Sequence, residues 1–288
     1  MDGVAIDART RVGAVSLTVR DRDRARDFYG HAIGLRAVDG GGDAVRLADG
    51  DGDGALVELN GRADAPQRPP GTTGLLHLAI LVPTRRDLAL ALRRVIEAGW
   101  PLAGASDHLV SESLYLSDPD GNGIEIYRDR PREEWRRRDG VLQMATLPLD
   151  LESLAGELGN DPKPQGMPAG TRIGHVHLQV ADLAEAEAFY AGALGLEVTV
   201  RDYPGALFLS AGGYHHHIGL NTWAGEGAAA PPPGSIGLRS FEVVVPAREE
   251  LERVVERVEA AGVDAERRED GVLVRDPSRN AVLLRAAA

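Results

Sequence analysis

GAVSLTVRD at residues 13–21 and GHVHLQVAD at residues 174–182 are the two stretches of sequence that decide the fold. In both stretches apolar and polar residues alternate, which is typical of a half-buried β-strand, and the closing Asp can cap a following helix. The pairs Phe28-Tyr29 and Phe189-Tyr190 follow at the same offset of 161 residues. This constant offset predicts an internal duplication.

Each copy contains a second, more divergent repeat. Residues 74–83 and 237–246 both begin with Gly-Leu and end with Val-Pro, and each precedes a helical pattern that stops at a Gly. Short strands follow, and the last is entered through Asp118-Pro-Asp-Gly-Asn122 or Asp276-Pro-Ser-Arg-Asn280. The sequence therefore predicts an α+β fold of four βαβββ modules.

The four modules group into two predicted domains, residues 10–130 for modules 1 and 2 and residues 171–288 for modules 3 and 4. The predicted connector, residues 131–170, has a charged cluster, a helical pattern around residues 151–158 and an end rich in Pro and Gly. Residues 225–234 are rich in Ala and Pro, which predicts a loop between modules 3 and 4.

Composition excludes several classes of function. The formal net charge of −12 argues against binding to nucleic acid, which requires a clustered basic surface. The chain has no Cys, so disulfides, thiolate nucleophiles and zinc–thiolate sites are excluded, and any metal must bind to His and carboxylate groups. Residues 1–11 lack an apolar segment and no long apolar run follows, so we expect a cytoplasmic protein with no membrane partner.

The modules differ most at two equivalent strand positions. The first strands of modules 1 to 4 carry, in order, Ala14, His77, His175 and Ser240, and the last strands of modules 2 and 4 carry Glu125 and Leu283. Modules 2 and 3 therefore keep two histidines and one carboxylate. Such a set, with coordination positions left open, is typical of iron(II) centres that bind substrate and dioxygen, although manganese or another divalent ion would also fit.

Further histidines lie close to these positions in the sequence. The run Tyr214-His215-His216-His217 leads into a predicted strand, where His215 and His217 would share one face and His216 would take the other. His108 precedes Tyr115 in module 2. Because the ordinary pKa of His lies near neutral pH, these side chains are candidate acid/base groups.

Structural interpretations compete with the functional ones. A single strand histidine is usually a hydrogen-bonded core residue, and Glu125 could simply face solvent. The histidines at 215–217 could be an exposed strand end, and His31 is predicted at the surface. Glu58 is predicted to be structural or vestigial because Ala14 removes its expected partner. The Phe-Tyr pairs are predicted to belong to the core.

The sequence resembles the vicinal oxygen chelate (VOC) superfamily, which includes glyoxalase I, bleomycin-resistance proteins and type I extradiol dioxygenases. Ile173-Gly-His-Val-His177 is similar to the metal-binding first strand of catechol 2,3-dioxygenase-like proteins, and His216-His217 to their paired histidines. Residues 106–111, Tyr115 and Glu125 resemble the loop, tyrosine and glutamate that complete such a site.

The resemblance implies two VOC domains with curved mixed β-sheets, and a role for each candidate residue. The implied metal ligands are His77, Glu125 and His175; the implied acid/base groups are His217 with His216; the implied substrate or oxygen contacts are His108 and Tyr115.

One departure from the family pattern concerns module 4. In the extradiol enzymes the ligands come from the third and fourth modules, whereas module 4 here has Ser240 and Leu283 and lacks the loop equivalent to residues 106–111. We therefore hypothesise that modules 2 and 3 supply one site together. If modules 1 and 2 pair instead, the ligands are split between two incomplete sites, which exchange between chains could reunite.

The expected function is extradiol cleavage of a catechol-like diol by dioxygen, with iron(II) as the metal and manganese, nickel or zinc as alternatives. A homodimer is compatible with this expectation. Two other functions stay open: a glyoxalase-like isomerase or lyase that uses nickel or zinc as a Lewis acid on a small oxygenated substrate, and a metal-free small-molecule binding protein of the bleomycin-resistance kind. A requirement for dioxygen and the metal content would separate the three.

Overall fold

A computed structural model describes residues 5–38, 44–50, 52, 54–159 and 166–287. It confirms the predicted α+β fold of mixed sheets. Module 1 contains β1 (Arg11–Val19), α1 (Arg22–Phe28), β2 (Arg36–Val38), β3 (Ala44–Ala48) and β4 (Val57–Gly61). Module 2 contains β5 (Gly74–Leu81), α2 (Arg85–Glu97), β6 (Gly104–Asp107), β7 (Ser111–Ser117) and β8 (Gly123–Asp129).

The connector and the second half of the chain continue this order. The connector contains a 3₁₀ turn (Arg132–Glu134), β9 (Arg137–Arg138), β10 (Val141–Leu142), β11 (Leu147–Pro148) and α3 (Leu151–Gly156). Module 3 contains β12 (Arg172–Gln179), α4 (Leu183–Glu187), β13 (Glu197–Tyr203), β14 (Ala206–Ser210) and β15 (Ile218–Asn221). Module 4 contains β16 (Gly237–Val245), α5 (Arg248–Ala260), β17 (Glu266–Arg268), β18 (Gly271–Arg275) and β19 (Ala281–Ala286).

The chain divides into two compact units. One consists of residues 1–16, 66–76 and 174–288, and the other of residues 17–65 and 77–173. We call the first the C-terminal unit and the second the N-terminal unit. Three of the four unit boundaries fall within β1, β5 and β12, and the fourth, between residues 65 and 66, lies between β4 and β5. The domain limits drawn from the sequence stay a prediction.

In the N-terminal unit, β5 and β8 are parallel neighbours, and β7, β6 and β11 continue the sheet from β8 in antiparallel pairs. The strands β2, β3 and β4 form an antiparallel series. Helix α2 begins after Thr84, whose hydroxyl accepts a hydrogen bond from the Asp87 amide at 3.1 Å. Its apolar side, with Leu88, Leu92 and Val95, is buried, as its helical period predicts.

The C-terminal unit repeats this arrangement. The strands β12 and β15 are parallel neighbours, and β14 and β13 follow β15 in antiparallel pairs. In module 4, β16 and β19 are likewise parallel, with β18 and β17 beyond them. In modules 2, 3 and 4 the first and last strands are thus parallel neighbours. Residues that stand opposite each other on two such strands can share a face of the sheet.

The predicted core position of the two Phe-Tyr pairs is confirmed, and each Tyr makes a specific buried bond. The Tyr29 hydroxyl donates to Asp118 at 3.4 Å, and the Tyr190 hydroxyl donates to Asp276 at 3.0 Å. Each Asp also accepts the backbone amide and side-chain amide of the Asn that ends its turn. Burial raises the pKa of both carboxyl groups and, helped by the carboxylates, raises the pKa of both phenols well above 10.

Helices α1 and α4 both end in π-helical turns. The chain leaves the α-helical conformation at Tyr29–Ile33 and at Ala188–Ala193. An arginine of the next module's helix reaches the end of each turn: Arg94 donates to the Ile33 carbonyl and Arg257 to the Leu194 carbonyl, both at 2.8 Å. These bonds satisfy carbonyl groups that a helix end leaves without an intrahelical partner.

The connector and the loop between modules 3 and 4 agree with their sequence patterns. Helix α3 lies in the predicted helical stretch, and no strand or helix is assigned to residues 225–234. Part of the Pro/Gly-rich end, residues 160–165, lies outside the described residues. Within the described ranges, no helix combines the length and the apolarity needed to cross a membrane.

Candidate metal centre

His77 and Glu125 form a buried pair in the N-terminal unit. They lie on the parallel neighbours β5 and β8, where Glu125 stands opposite Ala79 and His77 opposite Gly123. The His77 Nε2 and Glu125 Oε2 atoms are 3.0 Å apart, and the Glu125 side chain is only 3% exposed. Glu125 therefore does not face solvent. Its neighbours Ile124 and Ile126, which point to the other face of β8, are fully buried as well.

Ser113 on β7 holds the other oxygen of this carboxylate. Its hydroxyl donates to Glu125 Oε1 at 2.6 Å, and Ser113 is fully buried. A hydrogen bond of this kind orients a carboxylate for a metal ion. Ser113 was not among the predicted site residues; the available signal was the polar run Ser111-Glu112-Ser113 at the start of β7.

His108 and Tyr115 meet each other beside this pair. His108 Nε2 lies 2.6 Å from the Tyr115 hydroxyl, and the Tyr115 ring lies 5.7 Å from the His77 ring between centroids. His108 Nδ1 lies 2.7 Å from the Ala145 carbonyl oxygen. Because a carbonyl can only accept, Nδ1 must carry a proton, and in neutral His108 the Nε2 atom accepts the Tyr115 hydroxyl proton.

His175 lies in the C-terminal unit, on β12, in a group of aromatic rings. It is 2% exposed, and its ring centroid is 4.1 Å from that of His216 and 6.1 Å from that of His215. His215 Nδ1 and His216 Nδ1 are 2.8 Å apart, so one of the two must donate to the other. The His216 ring in turn meets Phe208 at 4.9 Å.

The expected alternation of His215, His216 and His217 on a strand is wrong. Strand β15 begins only at Ile218, and the preceding residues follow a turn in which Gly212 and Gly213 have positive φ. The His217 amide bonds to the Leu209 carbonyl and the His215 carbonyl accepts the Thr199 hydroxyl, which holds the segment as a loop. His215 and His216 are therefore both buried, whereas a strand would have separated them.

His217 and His177 have different surroundings. His217 Nδ1 accepts a hydrogen bond from the Ala211 amide at 3.1 Å, so the proton of a neutral His217 is on Nε2. His177, which belongs to the first-strand motif of module 3 but was not predicted as a site residue, is buried two residues after His175 on the same face of β12. Its ring meets those of Phe208 at 5.7 Å and Trp223 at 5.4 Å. Its even spacing from His175 was the signal.

Module 4 lacks the ligand side chains of modules 2 and 3. Leu283, at the position equivalent to Glu125, packs with Leu273 and Ala281. Leu273 stands opposite Leu283 as Tyr115 stands opposite Glu125. Ser240 is half-buried. Module 4 thus has neither a carboxylate nor a histidine at these positions.

The remaining candidates lie apart from this chemistry. His31 is exposed, with Nδ1 2.9 Å from the Asp27 carbonyl oxygen, as expected of a surface residue. Glu58 is half-buried on β4 and stands opposite Arg46 on β3. The Ala14 amide donates to the Glu242 carboxylate at 3.0 Å.

His77, Glu125 and His175 make up a His/Glu/His triad of buried residues, each of which offers one ligand atom for a metal ion. Two imidazoles and one carboxylate are borderline ligands that suit iron(II), manganese(II), nickel(II) or zinc(II). The residues present therefore fit one divalent metal ion.

The fold and this donor set define a protein of duplicated βαβββ modules with the side chains for a metal centre. The chain belongs to the Glyoxalase/Bleomycin resistance protein/Dioxygenase superfamily, whose family model matches residues 11–126 and 172–283. The resemblance stated from the sequence is confirmed.

Two curated relatives have names that describe dioxygenases of aromatic diols. The chain is 45% identical to catechol-2,3-dioxygenase of Bacillus subtilis over 283 residues, which cover 97% of this chain and 98% of the relative. It is 39% identical to biphenyl-2,3-diol 1,2-dioxygenase 3 of Rhodococcus globerulus over 64 residues, or 22% of this chain and 34% of that enzyme.

Solved structures confirm the fold. Glyoxalase I from Zea mays has a TM-score of 0.57 at 16% identity, with 96% of this chain and 92% of that chain covered. The cppA protein from Streptococcus pneumoniae has a TM-score of 0.55 at 11% identity, with 96% and 99% covered.

Proposed function

We propose that this protein is an extradiol dioxygenase that cleaves a catechol-like aromatic diol with dioxygen, and that His77, Glu125 and His175 hold its metal ion. The observation that carries the proposal is the buried triad, in which Ser113 orients the Glu125 carboxylate. The 45% identity to catechol-2,3-dioxygenase over nearly the whole chain supports the substrate class.

Iron(II) is the proposed metal, and when bound it would supply open coordination positions for the diol and dioxygen and would pass electrons from the diol to dioxygen. The protein's contribution is to hold its ligands in place. The His216 ring, 4.1 Å from the His175 ring between centroids, limits rotation of His175. Ser113 does the same for Glu125, since its hydroxyl fixes one carboxylate oxygen.

Tyr115 and His108 are the proposed acceptors of the substrate's proton. The Tyr115 hydroxyl proton is directed to His108 Nε2, so the phenol oxygen presents its lone pairs to other groups. A diol hydroxyl can donate there. When its proton moves to Tyr115, the Tyr115 proton can move to His108, whose cationic form the Ala145 carbonyl stabilises.

His217 has the complementary role of a hydrogen-bond donor. The Ala211 amide occupies Nδ1, so the proton of the neutral ring is on Nε2. A histidine held in this tautomer can donate from Nε2 but cannot accept there without first losing its proton. We therefore propose that His217 donates a hydrogen bond to oxygen atoms of the reacting groups, whereas His108 accepts the proton that leaves the substrate.

Metal content of anaerobically purified protein tests the ligand assignment. We expect about one iron or manganese per chain in the wild type, since one triad makes one site, and loss of the ion in each of His77→Ala, Glu125→Ala and His175→Ala. His31→Ala is the matched control, because His31 is an exposed histidine outside the triad. Loss of metal in the control as well would show that the assay reports unfolding rather than ligation.

Activity separates the proposed function from its two alternatives. The iron-loaded protein should convert catechol to a yellow ring-cleaved product in air and should do nothing under nitrogen. A protein that binds metal but transforms substrates without dioxygen would be a glyoxalase-like isomerase or lyase. A chain that binds no metal after reconstitution would contradict the proposal and favour a small-molecule binding protein.

A further inference from the structure

The connector contributes a strand to the sheet of module 2. Strand β11 pairs antiparallel with β6, so that Leu147 stands opposite Asp107 and Pro148 opposite Ser106. His108 follows Asp107 directly. The pairing therefore brings residues 143–148, which we call the connector arm, alongside the turn that carries His108.

The arm makes one bond to a side chain that the proposed function uses. The Ala145 carbonyl oxygen is 2.7 Å from His108 Nδ1, and the Ala145 amide lies 3.5 Å from the His108 carbonyl oxygen. The short contact excludes a lone pair on Nδ1, because two acceptors at that distance would repel each other. Of the two neutral tautomers of His108, only the one protonated on Nδ1 is compatible with the arm in this position.

The turn between β6 and β7 is itself held in an unusual conformation. Leu109 has φ of 69°, in the left-handed region that non-glycine residues rarely adopt. The Asp107 carboxylate accepts the Leu109 amide at 2.8 Å and an Arg130 guanidinium nitrogen at 2.7 Å. The His108 amide also bonds to the Ser111 carbonyl. Several bonds thus maintain a strained turn that presents the His108 ring to Tyr115.

Module 4 has neither the arm nor a turn of this length. Its equivalent strands β17 and β18 are joined by Glu269-Asp270 alone, and Arg268 pairs with Gly271 across the turn. It carries no histidine there, and Leu273 replaces Tyr115. The longer turn and the arm therefore occur in the module that has the His108–Tyr115 pair and not in the module that lacks it.

We propose that the connector arm is a positioning element: the Ala145 carbonyl selects the Nδ1–H tautomer of His108 and so makes Tyr115 a donor to His108 and an acceptor toward the substrate. The catalytic role of the arm rests on the proposed function, whereas the tautomer of His108 does not. Ala145 is a positioning residue because its carbonyl acts through His108.

The experiment weakens the carbonyl without changing a side chain. Replacing Thr146 by its α-hydroxy analogue turns the Ala145 carbonyl from an amide into an ester, which is a poorer hydrogen-bond acceptor. The same replacement at Met144 alters the Gln143 carbonyl and is the matched control. The ring nitrogens of His108 are observed by ¹⁵N NMR of histidine-labelled, chelator-treated protein, with the signal assigned by its loss in His108→Gln.

We expect wild-type His108 to be protonated on Nδ1 and unprotonated on Nε2. The Thr146 ester should raise the Nε2–H share relative to Nδ1–H by roughly threefold to tenfold, the change expected on weakening one hydrogen bond, and the Met144 ester should not. In iron-loaded protein the Thr146 ester should lower kcat for catechol cleavage with little change in KM.

Two outcomes would overturn the inference: a wild-type His108 protonated on Nε2, or an unchanged tautomer ratio in a Thr146 ester variant whose melting temperature equals that of the control. Failure of the proposed function gives a different result. In that case the tautomer shifts as expected, but the wild-type protein does not cleave catechol.

Discussion

At the scale of single residues, equivalent positions in modules 2 and 4 show which side chains distinguish the proposed metal site. Glu125 has Tyr115 opposite it and Ser113 bound to it, whereas Leu283 has Leu273 opposite it and packs with Ala281. The scaffold is the same in both modules. The difference in chemistry therefore comes from a few side chains on the last two strands rather than from the fold.

Ser113→Ala tests the contribution of the residue that orients Glu125. We expect metal affinity to fall by about 10-fold to 100-fold, the usual effect of losing a hydrogen bond to a ligand, while the three ligands remain. Competition with a chelator of known affinity measures the change. Ser111→Ala is the control, since Ser111 is a buried serine on the same strand and face. Equal losses in both variants would contradict the specific role of Ser113.

Strand positions of the proposed site were easier to interpret from the sequence than loop positions. His77, His175 and Glu125 were proposed as ligands because equivalent strand positions can be compared directly between modules. His215 and His216 were misplaced on opposite faces, since the strand period was extended into a turn that depends on the Leu209 carbonyl. The role of Ala145 has no sequence signal, because a backbone carbonyl is the same for every residue type.

At the scale of elements, a buried Tyr–Asp bond ties each odd-numbered module to the next. Phe replacement should cost about 1–3 kcal/mol of the free energy of unfolding, because the buried carboxylate loses a donor. We expect Tyr190→Phe to cost more than Tyr29→Phe, since its bond is 3.0 Å rather than 3.4 Å. Urea denaturation measures both. A larger cost for Tyr29→Phe would contradict the reasoning from bond length.

The same phenols predict a dependence of stability on alkaline pH. Their pKa values are raised well above 10 in the folded chain, chiefly by burial. Such groups contribute stability fully below the unfolded pKa of about 10, and the contribution is lost as pH rises through the folded pKa. Absorbance titration should show late ionisation of Tyr29 and Tyr190, with one late-ionising tyrosine fewer in either Phe variant. Ionisation of all six near pH 10 in folded protein would contradict this.

Helix α3 depends on one arginine at the start of α2. Arg85 donates to Glu112 at 2.9 Å, to Glu157 at 2.7 Å and to the Ser153 hydroxyl at 3.2 Å. Lys cannot make these bonds together, because it lacks the planar fork of the guanidinium. Arg85→Lys should therefore speed hydrogen exchange in residues 151–157 severalfold, with Arg86→Lys as the control. Unchanged exchange in α3 would show that other contacts hold it.

The elements themselves were predictable where they depend on local patterns. The Asp182 cap of α4 and the Asp118 and Asp276 turns follow from side chains that bond to nearby amides. The π-helical ends of α1 and α4 were not predicted, because Arg94 and Arg257 that meet them lie 61 and 63 residues further along the chain. Strand β11 is two residues long and exists only through its pairing with β6.

At the scale of the whole molecule, the C-terminal unit is not continuous in sequence. Residues from the N-terminal stretch belong to it: the Ile6 amide bonds to the Gly195 carbonyl, the Asp7 amide to Glu250 and the Ala14 amide to Glu242. Glu250 is 5% exposed, so the Asp7 bond lies at a largely buried carboxylate. A fragment that begins at residue 171 would lack these donors.

A fragment of residues 171–288 should therefore fold poorly, although the sequence prediction treats it as a complete domain. We expect a broad thermal transition and few dispersed amide signals in its NMR spectrum, because Glu242 and Glu250 lose backbone donors and nearby apolar residues such as Ile6 no longer cover the unit. Adding a peptide of residues 1–20 in excess should sharpen the transition if the N-terminal stretch alone is missing. A cooperative transition for the fragment by itself would show that the predicted domain limit is correct and that residues 5–16 are dispensable for folding of the unit.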